Sequence, residues 1–254
     1  MLIMKNPKIS VITVSFNAEK TIEITIKSLL SQKFKDYEYL IIDGNSSDTT
    51  LKIVRKYKSK IKKIISKKDK GIYDAMNKGV NLANGEFIYF LNADDVLKDN
   101  EVLKNISNYL NDINDLVFGD IEFSYPFESK NVRISRSASI NDLRNGNMPP
   151  HQGSFIRKKW LIKNPFSLNY KSSSDFDFFC NMLKQKPKIK KVNKVIAVMQ
   201  IGGVSAGKIS YKETEMIVKK HFGFFSYILL KTKHTIFSFI KKVLNLIGVR
   251  VHKG

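Results

Sequence analysis

The sequence predicts an α/β fold: a largely parallel central sheet with helices on both faces, followed by an amphipathic helical appendage. Three observations lead to it. β-Branched apolar runs alternate with stretches of helical spacing through the first half of the chain, and repeated βα units build parallel, helix-covered sheets. Polar residues follow directly after the runs that end in Phe16, Ile42 and Leu91. From Met216 onward, Lys or Arg occurs at eight positions and Asp or Glu at none.

The elements follow in order. Residues 9–16 (ISVITVSF) form the first strand, bounded by Asn17. Ile22, Ile26, Leu29 and Leu30 then recur at helical steps. Residues 37–42 (YEYLII) form the second strand and end in the turn-rich DGNSSDTT. Asp48 there is placed to cap a helix running through Lys52 and Val54. Residues 61–65 make a short third strand, 73–82 a helix, and 86–91 (EFIYFL) a fourth strand. Residues 99–110 read as a helix and 116–118 as the start of another strand. The second half is less regular. It offers a strand pair within 121–134, a break at Pro149 and Pro150, a strand over 153–157, a helix over 175–183 and a strand over 188–199. The expected division places residues 1–207 in one α/β domain and 208–254 in a basic tail.

Composition bounds the function. The 254 residues are 43% hydrophobic, enough for a real core. Lys and Arg number 44 against 23 Asp and Glu, a net charge of +21, which implies polyanionic company such as nucleic acid, anionic lipid or a phosphorylated substrate. The single cysteine, Cys180, excludes disulfides within the chain and a cysteine-rich zinc site. No GxxxxGK[ST] loop, GxSxG elbow or HExxH motif is present. The opening, MLIMKNPKISVITVSFN, lacks the basic and apolar regions of a signal peptide. Uncharged apolar stretches such as 222–230 reach about half of the ~20 residues that a spanning helix needs. The expected location is cytoplasmic, on the inner face of the cell membrane or free of it.

Ligands of open α/β sheets bind beyond the carboxyl ends of the strands, so the polar residues there are the candidates. Asn92-Ala93-Asp94-Asp95 follows EFIYFL. Adjacent carboxylates repel, and a hard cation such as Mg²⁺ or Mn²⁺ relieves that while keeping positions open for substrate phosphates; a solvated turn capping the next helix is the alternative. Asp43 suits a ribose or base as well as an Asx-turn. Thr13, Ser15 and Asn17 sit where the first strand ends and are placed to line the same crevice. Asp175 stands at the start of a predicted helix, as a general base or as a carboxylate favoured by the helix macrodipole.

The order of these fragments resembles family 2 glycosyltransferases. PKISVITVSFN, LIIDGNSSDTT, KDKGIYDAMNKGVNLANGEFIYFLNADD, PPHQGSFIRK, SSDFDFF and IGGVSA carry the resemblance, from Pro7 to about Ala206. It implies a GT-A fold and inverting transfer of a sugar from a nucleoside diphosphate sugar to an acceptor hydroxyl, on a lipid-linked glycan in bacterial surface polysaccharide synthesis. It further implies that Ser15, Asn17 and Asp43 meet the nucleotide, although many members read Asp-Asp where this chain reads Asp43-Gly44. Asp69, Lys70, Gly71 and Asn77 would run beside the nucleotide. Asn92 takes the first acidic position of the DxD-like motif, which leaves Asp94 for the ribose or sugar and Asp95 for Mn²⁺ or Mg²⁺. His151 and Gln152 would lie near the donor sugar, and Gly202, Gly203, Val204 and Ser205 near the diphosphate. Asp175 matches the catalytic base of a motif usually written Glu-Asp-x-Asp, here Ser174-Asp175-Phe176-Asp177.

Two rival readings stand beside this one. A sugar-1-phosphate nucleotidyltransferase would use a similar sheet, but its Gly-rich N-terminal loop with following Arg and Lys is missing. A non-catalytic polyanion-binding protein would use the charge, but here the aromatics sit in strands and in the tail. In that tail Ile236, Phe239, Ile240, Val243, Leu244 and Ile247 recur at three- and four-residue steps, with Lys233, Lys241 and Lys242 off the stripe and Gly248 as the stop. Such a helix either packs on the domain or lies in an anionic membrane interface.

Overall fold

The computed structural model describes residues 6–124, 132–200 and 208–246, with side chains of the last segment from 209 to 240. The first half is a run of βα units: β1 (Ile9–Ser15), α1 (Ile22–Leu30), β2 (Tyr37–Asp43), α2 (Thr50–Arg55), β3 (Lys63–Ser66), α3 (Ile72–Leu82) and β4 (Phe87–Phe90). The second half adds β5 (Val96–Leu97), α4 (Val102–Ser107), β6 (Leu116–Ser124), β7 (Val132–Ile134), α5 (Ile140–Arg144), β8 (Ser154–Arg157), α6 (Lys158–Lys163), α7 (Ser174–Lys184), β9 (Ile189–Gln200) and α8 (Lys208–Leu246).

One sheet gathers these strands in the order β3-β2-β1-β4-β8-β6-β9-β5, with β7 beside β6. β3, β2, β1 and β4 are mutually parallel, and β6 and β9 share their direction. β8 enters antiparallel between β4 and β6, and β5 and β7 are short antiparallel additions. Six of the nine strands among the described residues therefore run one way, as the βα alternation implied.

β1 shows why the sheet is covered on both sides. All seven of its residues are buried, the pattern of a central parallel strand. Ile12 and Val14 point into the core shared with α3 and α7, whereas Ile9 and Val11 point into the core shared with α1 and α4. Burying each such side chain contributes about 1.5–3 kcal/mol. α3 approaches β1 so closely at Gly79 that a Cβ there would stand 2.6 Å from Ile12.

The last helix departs from expectation. α8 is broken at Gly223, whose φ of +85° and ψ of 176° are non-helical and suit glycine. In the inner arm, residues 208–222, Ile217 and Val218 are fully buried in the α3–α7 core. Glu213 accepts the backbone N–H groups of Lys171 and Ser172 at 2.8 and 2.9 Å. The inner arm, placed in the tail by the expected division at 207/208, thus packs into the same core as α3 and α7. The outer arm folds back on the inner one: Leu230 is buried and His234 lies 2.7 Å from Glu215. Further along, Phe224, Phe225, Leu229, Ile236 and Phe239 are all more than half exposed. No helix among the described residues is long and apolar enough to cross a membrane.

Candidate active site

A cavity of about 900 Å³ opens where β1, β2 and β4 end, the position expected for a ligand in a sheet of this order. β1 delivers Ser15 and Asn17 to its wall, and the turn after β2 delivers Gly44. The loop before α3 adds Asp69 and Gly71, and the turn after β4 adds Asn92, Asp94 and Asp95. His151 and Gln152 come from the turn before β8, and Asp175 from the first turn of α7. Elements up to 160 residues apart in sequence thus converge on one space.

The turn after β4 is electrostatically strained. Asp95 is 1% exposed and Asp94 is half-buried. Burial pushes the Asp95 carboxyl well above the usual carboxylate range, the neighbouring Asp94 adds to the shift, and a hydrogen bond from Asn92 opposes it. Burial also raises Asp94. Asp95 Oδ2 and Asn92 Oδ1 are both buried without a hydrogen-bond partner among the described residues. Two orphaned oxygens beside paired carboxylates form a donor set that suits a hard divalent cation. Among the described residues no group of three or more His, Cys, Asp or Glu side chains could hold a metal alone, so water and substrate phosphate would have to complete the shell. The residues present fit a magnesium- or manganese-type ion of that kind.

Asp175 is held differently. Its Oδ1 accepts the Tyr73 hydroxyl at 2.9 Å and the Phe176 backbone N–H at 2.9 Å. Its Oδ2 lies 3.9 Å from His151 Nδ1. His151 is buried, stacks on Phe90 with ring centroids 5.1 Å apart, and has no hydrogen-bond partner at either ring nitrogen among the described residues. Burial lowers its pKa against the pull of Asp175, so the ring is neutral near pH 7. The pair is close contact and not an ion pair.

Other expected residues belong to the scaffold. Thr13 is fully buried, donates to the Leu91 carbonyl at 2.7 Å and meets Tyr39 Oη at 3.0 Å, so it does not line the cavity. Asn77 donates to the Phe166 carbonyl at 2.8 Å and accepts the Phe166 N–H at 2.9 Å, so both ends of its amide are engaged by Phe166, and it does not line the cavity. Asp43 is buried and accepts Ser15, Ser46 and Ser66 hydroxyls; its neighbour Gly44 forms the wall instead. Lys70 is outside the wall, and its backbone N–H is held by Asp74. Gly202–Ser205 lie outside the described residues. Sequence reasoning passed over Phe16, which is 66% exposed on the rim, and Tyr73, whose ring occupies an ordinary apolar position of the α3 pattern.

With the strand-end acids and the cavity placed, comparison with known proteins assigns the family. The profile described as Glycosyl transferase family 2 matches residues 10–186. The chain belongs to that family. It is 30% identical over 181 residues to a PGL/p-HBAD biosynthesis glycosyltransferase of Mycobacterium tuberculosis, covering 69% of each chain. It is 28% identical to the Escherichia coli UDP-Glc:alpha-D-GlcNAc-diphosphoundecaprenol beta-1,3-glucosyltransferase WfgD, covering 69% of this chain and 70% of that one. The structure of S. aureus TarS in complex with UDP-GlcNAc has the same fold, with a TM-score of 0.69 at 22% identity over 83% of this chain. The chain spans 64% of that TarS chain. A mannosyltransferase from Pyrobaculum calidifontis, in complex with GDP-Man and Mn²⁺, aligns with a TM-score of 0.59 at 16% identity, covering 86% of this chain and 62% of that one. The GT-A-like fold implied by the sequence resemblance is therefore present. Family membership favours glycosyl transfer over the nucleotidyltransferase and polyanion-binding readings.

Proposed function

We propose that this family 2 glycosyltransferase is an inverting, metal-dependent hexosyltransferase. It moves a sugar from a nucleoside diphosphate sugar to an acceptor hydroxyl on a lipid-linked glycan. The observation that carries the reading is the sharing of one cavity by the strained pair Asp94–Asp95 and the separately held Asp175. Ser15, Asn17, Gly71, Asp94, His151 and Gln152 would surround the donor. Asp95 would hold Mn²⁺ or Mg²⁺, with the orphaned Asn92 oxygen beside it. When bound, the cation offsets the negative charge that develops on the departing diphosphate. The acceptor oxygen attacks the anomeric carbon opposite the leaving group. The bond from that carbon to the phosphate oxygen breaks, and its electron pair leaves with the nucleoside diphosphate. Asp175 takes the hydroxyl proton, and one displacement inverts the anomeric centre.

The acceptor class draws on the diphosphoundecaprenol named for the E. coli relative, and the donor class on the UDP-GlcNAc bound to TarS. The membrane reading draws on the outer arm of α8. Phe224, Phe225, Leu229, Ile236 and Phe239 are exposed there, with Lys231 and Lys233 exposed among them. Lysines near an anionic surface contribute on the order of 1 kcal/mol each. In this reading the enzyme sits on the inner face of the cell membrane, and Gly223 divides domain from tail. A thermal-shift screen of UDP- and GDP-sugars with and without Mn²⁺ tests the function. A metal-dependent rise with one donor supports it, and no rise with any sugar nucleotide contradicts it.

A further inference from the structure

The two oxygens of Asp175 are not equivalent. Oδ1 accepts two hydrogen bonds, from Tyr73 Oη at 2.9 Å and from the Phe176 N–H at 2.9 Å. Among the described residues Oδ2 accepts none; the neutral His151 ring lies 3.9 Å from it. A carboxylate held through one oxygen presents the other in a fixed direction. In a fully solvated side chain the two would exchange freely by rotation.

Tyr73 is well built for such a hold. It is 6% exposed and packs against Phe166 with ring centroids 5.5 Å apart. Phe166 is itself pinned through its backbone by both ends of the Asn77 amide. Asn77 and Tyr73 lie on the same helix, α3, so the phenol is braced from two directions. Burial and the nearby Asp175 charge push the phenol well above its ordinary pKa, so it remains a donor at any working pH. The helix also begins at Gly71, whose φ of +114° turns the chain beside Asp69, and both residues line the cavity. One element therefore carries a stretch of cavity wall at its N-terminus and the donor to Asp175 in its first turn.

We propose that Tyr73 is a positioning residue for sugar transfer: it holds Asp175 Oδ1 so that Oδ2 is the oxygen that receives the acceptor proton. This rests on the reading of Asp175 as the general base. In this proposal Tyr73, which also lines the cavity, acts through Asp175. It acts by fixing the angle from which the base meets the acceptor, which is where a small misplacement costs rate.

The test is Tyr73→Phe in the full chain, which removes one oxygen and keeps the ring packing. The expected result is a fall in kcat of about tenfold, the scale of one lost hydrogen bond to a charged group. Donor affinity and acceptor KM should stay within about twofold. A residue that only packs would change melting temperature and KM together. Tyr73→Phe is also made in an Asp175→Asn background, where it should add no further loss. Wild-type kcat overturns the proposal, and so does a fully additive loss in the double variant. If Asp175→Asn alone turns over normally, the base assignment itself falls. If Asp175→Asn is inactive while Tyr73→Phe is normal, only the role of Tyr73 falls.

Discussion

Asp175 and Asp177 stand two residues apart on α7 and are held from different sides. Asp175 is held by Tyr73 from α3, whereas Asp177 accepts His221 Nε2 at 2.7 Å and Lys220 Nζ at 2.9 Å from the inner arm of α8. Side chains at i and i+2 do not share a helix face, so one acid reaches the cavity and the other ties the last helix to the domain.

Asp177 is accordingly a stability residue. Burial opposes its charge, but the hydrogen bonds from His221 and Lys220 outweigh burial and hold its pKa below the usual carboxylate range. A depressed carboxylate contributes stability above its ordinary pKa and loses it as pH falls through the depressed value. Asp177→Asn should lower stability by about 1–3 kcal/mol at neutral pH, judged from hydrogen bonds to buried charge. The gap from wild type should narrow below about pH 4. Thermal unfolding of both proteins across pH checks this. A gap that persists unchanged at low pH would point to packing instead of charge.

The acids after β4 make an opposite prediction. A carboxyl raised by burial binds its proton more tightly in the folded chain, so it removes stability as pH climbs from the usual carboxylate range to the raised value. A divalent cation would displace that proton. Mn²⁺ should therefore raise the melting temperature more at about pH 7.5 than at about pH 5. Asp95→Asn should abolish the difference and weaken metal-dependent donor binding sharply. Equal donor binding in excess chelator, measured by calorimetry, would remove the metal from the account.

Truncation separates the two arms of α8. Ending the chain at Gly223 should release it from anionic liposomes and leave a folded domain, with only a modest loss from Leu230 and His234. Ending it at residue 207 should unfold or strongly destabilise the domain, since Ile217, Val218 and Glu213 go with it. Co-sedimentation and melting curves of both truncations decide the matter. Undiminished liposome binding after the shorter cut would exclude the outer arm as the membrane contact.

Much of the site was legible because its residues follow strands that announce themselves. β1, β2 and β4 are β-branched or aromatic runs, and parallel strands buried on both faces need such runs. The acids after β4 and at the start of α7 then fall at positions that topology makes concave. What escaped was set by partners distant in sequence. β5 is two residues long and exists through pairing with β9, and two residues carry no period. α5 and α6 are five and six residues long, too short for a clear amphipathic stripe. Thr13 and Asn77 look available in sequence, yet Leu91 and Phe166 take their hydrogen bonds. Tyr73 opens the predicted helix over 73–82 with nothing to mark it as functional: its ring is core, and its hydroxyl reaches Asp175. The change in charge begins at Met216 and the expected tail at 208, yet Ile217 and Val218 are buried in the core shared with α3 and α7, a partnership that composition does not reveal.

Turnover of Asp175→Asn bears most directly on the central claim that Asp175 is the general base of an inverting transfer. The variant keeps the size of the side chain and an oxygen for Tyr73 while removing the basic group. The base acts on the acceptor proton in the transition state, so donor affinity and melting temperature should stay near wild type while turnover falls at least ~10²-fold. Turnover is measured with a lipid-linked saccharide acceptor, beside donor affinity by calorimetry. A folded Asp175→Asn protein that binds donor and turns over at a near-normal rate would contradict the mechanism.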